Sequence, residues 1–168
     1  MAVSVGSRIP QVEFLTPSDD GPVQITTDEV FGGKNVVLFA VPGAFTPSCH
    51  HVHMPSYLDE YENLRRAGVD TIACTAVNDP FVLGIWAEAT GAKDKILFLA
   101  DGNADFVTAM GLGFDGRRLG IGPRSCRYAL WACDGIIRAL NIEKDPTIAE
   151  ITTAYAMLRM FDAWNTSP

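Results

Sequence analysis

No stretch of this sequence approaches the roughly 18 uninterrupted apolar residues of a membrane-crossing helix, and the opening Met1-Ala2-Val3-Ser4-Val5-Gly6 has no basic segment ahead of an apolar run. A soluble protein is expected, and a cytoplasmic one. Excess positive charge is missing too: 13 Lys and Arg stand against 20 Asp and Glu, for a formal net charge of −7. Phosphate neutralisation needs cations gathered on one face, so a nucleic-acid binder is disfavoured, although Arg117, Arg118, Arg124 and Arg127 could make a local basic spot.

Cysteine is sparse. Cys49, Cys74, Cys126 and Cys133 form no dense framework and no Cys-x-x-Cys pair, so they are expected as reduced thiols, and reversible thiol–disulfide exchange is disfavoured. Metal spacing is also lacking. Cys49 and His53 share a helix face, but no second pair exists elsewhere to close a four-ligand site. His53 is expected to hold an ordinary polar contact, with His50 and His51 partly exposed. Gly111 to Gly116 has the spacing of a dinucleotide fingerprint, yet it follows a helix pattern and opens none, so no phosphate cradle and no cofactor are expected.

What is present fits one domain over residues 1–168, with 48 % apolar and 20 % charged residues. Turn-bounded segments Gln11 to Leu15 and Val23 to Thr26 read as a hairpin, and Thr27-Asp28 as the start of a short helical turn. The continuous apolar runs Val36 to Val41, Val69 to Val77 and Ile96 to Ala100 read as strands buried on both faces. Helical patterns fill the gaps. One runs from Thr46 to Gly68, kinked at Pro55; a second from Pro80 to Gly91 has Phe81, Val82, Ile85, Trp86 and Ala89 inward; a third covers Asn103 to Leu112. Gly111 to Gly122 reads as a loop. Arg127 to Cys133 and Ile136 to Ile142 form a hairpin at Asp134-Gly135, and Asp145-Pro146 caps a last helix with Ile148, Ile151, Tyr155, Leu158 and Phe161 inward. The order βαβαβα-ββ-α predicts an α/β sandwich with a parallel centre and an antiparallel edge.

The chemistry centres on Cys49. Thr46 is a good N-cap, Pro47 suits the first helical position, and Cys49 then falls at the third, facing unpaired amides and the positive end of the helix dipole. That is not enough to ionise it. An ordinary cysteine is about 3 % thiolate at pH 7; lowering its pKa to about 6 takes ~3.4 kcal/mol, against ~0.3 to 2 kcal/mol from a helix terminus. A nearby cation is required, most naturally an arginine. If Arg124 and Arg127 share a regular strand, alternation puts them on opposite faces, and the residues alone do not choose between them.

Val41-Pro42-Gly43-Ala44-Phe45-Thr46-Pro47-Ser48-Cys49, His53-Met54-Pro55, Val77 to Val82, Leu99 to Gly102, Arg124-Ser125, Arg127-Tyr128 and Asp134-Gly135 together resemble the peroxiredoxins, in the subgroup of the atypical human form and the plant type II enzymes. The resemblance implies a thioredoxin-like fold: a central mixed sheet flanked by helices, extended by an N-terminal hairpin. It implies thiol-dependent reduction of hydrogen peroxide and organic hydroperoxides, with Cys49 as nucleophile and a sulfenic acid as intermediate. It assigns Thr46 as the orienting hydroxyl, Pro42 as a shield, Arg124 as the cation, and the Gly43, Phe45 and Ser48 turn as the peroxide-binding wall. Two departures are visible: His50 stands where relatives often carry Ser, and no cysteine follows Cys133. The reductant is therefore expected to be glutaredoxin with glutathione, or thioredoxin, with Cys74 as a candidate resolving thiol and no assigned role for Cys126 or Cys133. A homodimer packed near Phe45 and Phe81 is expected. The competing reading is a non-catalytic thioredoxin-fold interaction or holdase module.

Overall fold

The computed structural model describes residues 2–165; Met1 and residues 166–168, the ends of the expected 1–168 domain, lie outside the described residues. The chain opens with the expected hairpin, β1 (Glu13–Thr16) and β2 (Val23–Thr26), followed by α1 (Thr27–Phe31). A capping box starts α1: Thr26 Oγ1 accepts from the Glu29 amide, and the Glu29 carboxylate accepts from the Thr26 amide at 2.7 Å. β3 (Asn35–Ala40) leads into a π turn (Cys49–His53), α2 (Met54–Asp59) and α3 (Tyr61–Ala67), which ends at Gly68 in the left-handed conformation. β4 (Thr71–Ala76), α4 (Pro80–Thr90), β5 (Leu97–Ala100) and α5 (Asp105–Met110) continue the alternation. A small separate hairpin, β6 (Gly113–Asp115) and β7 (Pro123–Ser125), precedes β8 (Tyr128–Cys133), β9 (Ile136–Ile142) and α6 (Ala154–Asn165).

The main sheet runs β2-β1-β5-β4-β3-β8-β9, parallel across β5-β4-β3 and antiparallel on both flanks. β3 sits inside it, and its side chains alternate between two cores. Val37 and Phe39 face Tyr57, Leu64 and Trp86, whereas Val36 and Leu38 face Phe14, Phe31 and Phe106. Among the described residues, no helix is long and apolar enough to cross a membrane.

Three expectations are corrected. α4 buries Pro80, Leu83, Trp86 and Ala87, and leaves Phe81 and Ile85 70 % and 61 % exposed. This helix is apolar nearly all round, so its period marks no single inward face. The last helix begins at Ala154, not near Asp145-Pro146; Ala154, Met157 and Phe161 are buried, whereas Ile148, Ile151 and Tyr155 are exposed. Side chains claim the backbone groups a helix would need there. Glu143 Oε1 accepts from the Glu150 amide at 2.6 Å and the Thr152 amide at 3.0 Å, and the carbonyls of Pro146 and Thr152 are occupied from the other side. Finally, Arg124 lies on β7 of the small hairpin and Arg127 one residue ahead of β8 in the main sheet, so the two share no strand and the alternation argument does not apply.

Candidate active site

β3 delivers the chain to Pro42 and a tight turn over residues 43–46. Gly43 O accepts from the Thr46 amide at 3.3 Å and from Thr46 Oγ1 at 2.7 Å, and Phe45 takes a left-handed φ of 63°. Thr46 Oγ1 therefore spends its proton inside the turn and is left as an acceptor. Pro47 and Ser48 begin the helix and Cys49 is its third residue, as expected. The His50 amide donates back to Thr46 O at 2.9 Å, but the Met54 amide reaches Cys49 O, one residue further than in an α-helix. Pro55 has no N–H to close an α turn, and the widened turn is the form its kink takes.

Arg127, one residue before β8, is the sulfur's partner. Tyr128 pairs with Ala40 in the antiparallel β3–β8 register, which sets the residue before it at the foot of the Pro42 turn. Its Nη2 donates to Cys49 Sγ at 3.3 Å. Nη2 and Nε also donate to Pro146 O at 2.9 and 3.1 Å, and Nη1 to His53 Nδ1 at 3.0 Å. Arg127 is 1 % exposed, and among the described residues no carboxylate pairs with it. A buried, uncompensated guanidinium costs several kcal/mol, and the Cys49 sulfur is the nucleophilic atom it is directed at.

The expectation that Arg124 supplies this cation is corrected. Arg124 Nη1 donates to Val77 O at 2.9 Å and Nε to Ile121 O at 2.7 Å. It lies against the turn: a Cβ on Gly43 would sit 3.2 Å from its Nη1 and 3.3 Å from Thr46 Cγ2. Asn78 Oδ1 supports the same turn by accepting from the Ala44 amide at 3.0 Å. Arg124 and Gly43 thus shape the wall, while Arg127 addresses the sulfur. The overlooked signal is register: counting back from the Asp134-Gly135 turn along β8 ends at Arg127, beside the end of β3.

His53 is buried with both ring nitrogens engaged. Thr152 O can only accept, so Nε2 carries the hydrogen of that 2.9 Å bond, and Nδ1 accepts from Arg127. Burial, then the charge of Arg127, pushes its pKa down to about 3. The imidazole is neutral and has no lone pair left for a metal; among the described residues, no group of three potential ligands occurs. Phe45 is half exposed and stacks on His50 at 5.7 Å between ring centres, while His50 Nδ1 accepts from Trp86 Nε1 at 3.0 Å.

Cys49 has no exposed surface in this conformation. A cavity of about 270 Å³ beside it is lined by its neighbours Pro42, Thr46, Ser48 and Arg127 together with Phe114, Leu119 and Ile121. Cys74, opposite Phe39 on β4, is fully buried, and burial followed by the nearby Cys49 charge pushes its thiol well up. Cys126 is half-buried, its thiol also raised by burial, and Cys133 is half-buried at the end of β8; all four thiols are free. In this conformation Cys49 has no paired thiol.

Residues 4–158 match the Redoxin family. Peroxiredoxin-2E of Arabidopsis thaliana, chloroplastic by name, is 40 % identical over 147 residues, 85 % of this chain and 63 % of that protein. The hybrid peroxiredoxin hyPrx5 of Haemophilus influenzae is 38 % identical over 85 % of this chain and 59 % of its own length. This chain thus spans less than two thirds of both relatives. Among solved structures, reduced Prx3 of Vibrio vulnificus in complex with H2O2 superimposes with a TM-score of 0.89 at 41 % identity, covering 95 % of this chain and 99 % of that one. The fold is thioredoxin-like in the peroxiredoxin manner, and the chain belongs to the Redoxin family, among its type II, Prx5-like peroxiredoxins.

Proposed function

We propose that this protein reduces hydroperoxides through Cys49. The 3.3 Å bond from Arg127 to Sγ, made by a buried guanidinium with no carboxylate beside it among the described residues, carries the reading, because it directs a cation at a nucleophilic sulfur next to a cavity that Arg127 itself lines. The thiolate attacks one peroxide oxygen, the O–O bond breaks, and the departing hydroxide or alkoxide takes a proton from water. Cys49 is left as the sulfenic acid. The lone pairs of Thr46 Oγ1 orient the incoming O–H, and the Arg127 guanidinium with the first-turn amides of Ser48 and Cys49 stabilises charge as the bond breaks. Pro42 shields the sulfur, and Gly43 with Phe45 holds the wall. The Vibrio vulnificus relative was crystallised with hydrogen peroxide, which supports the same substrate here.

An external thiol, from glutaredoxin with glutathione or from thioredoxin, completes the cycle. Cys74 is a poor resolving group, because a buried thiol with a raised pKa supplies no thiolate. The homodimer belongs to the same proposal, with Phe45, Phe81 and Ile85 as its exposed apolar face. A holdase module is not favoured, since protein binding gives no reason to bury a cation against a sulfur. The test is peroxide consumption by wild type and Cys49→Ser, with mass detection of a trapped sulfenate. Wild type should consume peroxide and carry the trap on Cys49; undiminished turnover by the serine variant would overturn the proposal.

A further inference from the structure

We propose that His53 is a positioning residue that holds Arg127 in place without neutralising it. The inference rests on the thiol-peroxidase reading of Cys49 and deepens it. Arg127, almost wholly buried, needs protein acceptors for its donors. Pro146 O takes two of its bonds and His53 Nδ1 takes the third, both uncharged, so the positive charge stays directed at Cys49 Sγ. A carboxylate in the same position would satisfy the donors equally well and would also offset the positive charge that faces the sulfur.

The neutrality of His53 is built in. Its Nε2–H is fixed on Thr152 O, which also accepts from Tyr57 Oη at 2.9 Å, and Thr152 is held in turn by Glu143 through its amide and hydroxyl, both at 3.0 Å. Both ring nitrogens are therefore committed, one as donor to a carbonyl and one as acceptor from a cation, and only the neutral ring can fill both roles. The titratable and charged groups facing the cluster are Arg127 ahead of β8, Cys74 on β4, Tyr57 on α2 and Cys49 itself. Among them, Arg127 is the only cation.

The test compares His53→Gln and His53→Glu with wild type by following alkylation of Cys49 by iodoacetamide against pH, resolved by site with mass spectrometry, beside the rate of reaction with hydrogen peroxide. Glutamine keeps a neutral acceptor for Arg127 and a donor for Thr152 O, so its alkylation midpoint and peroxide rate should stay within about twofold to threefold of wild type. Glutamate should move the midpoint to higher pH by about one unit and slow the peroxide reaction at neutral pH about tenfold. Equal losses in both variants, or none in either, would overturn the proposal. If the glutamate variant does not fold, His53→Leu replaces it: it lacks the acceptor and should lose about tenfold relative to glutamine, and parity between the two overturns the proposal. The alkylation profile involves no peroxide. Wild type that consumes none while the midpoints still separate would sink the peroxidase reading and leave the role of His53 standing.

Discussion

Arg127 and Arg124, three positions apart, have different work, and their substitutions should differ accordingly. Arg127→Met removes the donor to Sγ and should lower the second-order rate with hydrogen peroxide by about 10²- to 10³-fold, read by stopped-flow fluorescence. Arg124→Met frees Val77 O and Ile121 O and loosens the turn, with a loss of about tenfold or less. Equal losses would mean that Arg124 also acts on the reacting atoms. His53 gives a pH signature. Its folded pKa, about 3, lies below the ordinary value of about 6.5, so between these pH values the unfolded chain binds the proton that the folded chain refuses. Stability should therefore fall as pH drops below about 6.5, by at most ~1.4 kcal/mol per unit from this group, and His53→Gln should flatten that part of the slope in urea unfolding. Cys49, its helical position and its need for an arginine were legible from residue types. The choice of arginine was not legible from residue types: it follows from counting back along β8 to Arg127 only once β8 is known to pair with β3, strands nearly 90 residues apart in sequence, with Ala40 against Tyr128.

Strands and the hairpin signals at the two ends of the sheet could be read from apolar runs and turn residues, since β3 to β5 are buried on both faces and contain little else. α4 hid its inward face because its apolar residues surround it, and the segment after Ile142 hid its shape because its carbonyls answer to side chains far away. That segment is held by Glu143, whose Oε1 gathers the Glu150 amide and the Thr152 amide and hydroxyl. Ser48 Oγ also donates to Thr147 O, tying the segment to the Cys49 turn. Glu143→Ala should cost about 1 to 3 kcal/mol in chemical unfolding and should lower peroxide reactivity too, because Thr152 and Pro146 set His53 and Arg127. A stability loss with unchanged reactivity would separate the segment from the site.

At the scale of the molecule, Phe45, Phe81 and Ile85 are exposed apolar side chains that the proposed homodimer would cover. Sedimentation at micromolar concentration should give a dimer for wild type and a shift toward monomer for Phe81→Glu; a wild-type monomer throughout that range would remove this assignment. A sulfur sealed under its own turn also divides any turnover in time. On the proposed reading, a peroxide would be small enough to visit the closed form, whereas a bulky thiol donor would have to wait until the wide turn at Cys49 unwinds. The same residue would thus meet its two reactants in two different shapes of the chain, and the rate of that unwinding would cap how fast the oxidised protein returns to service.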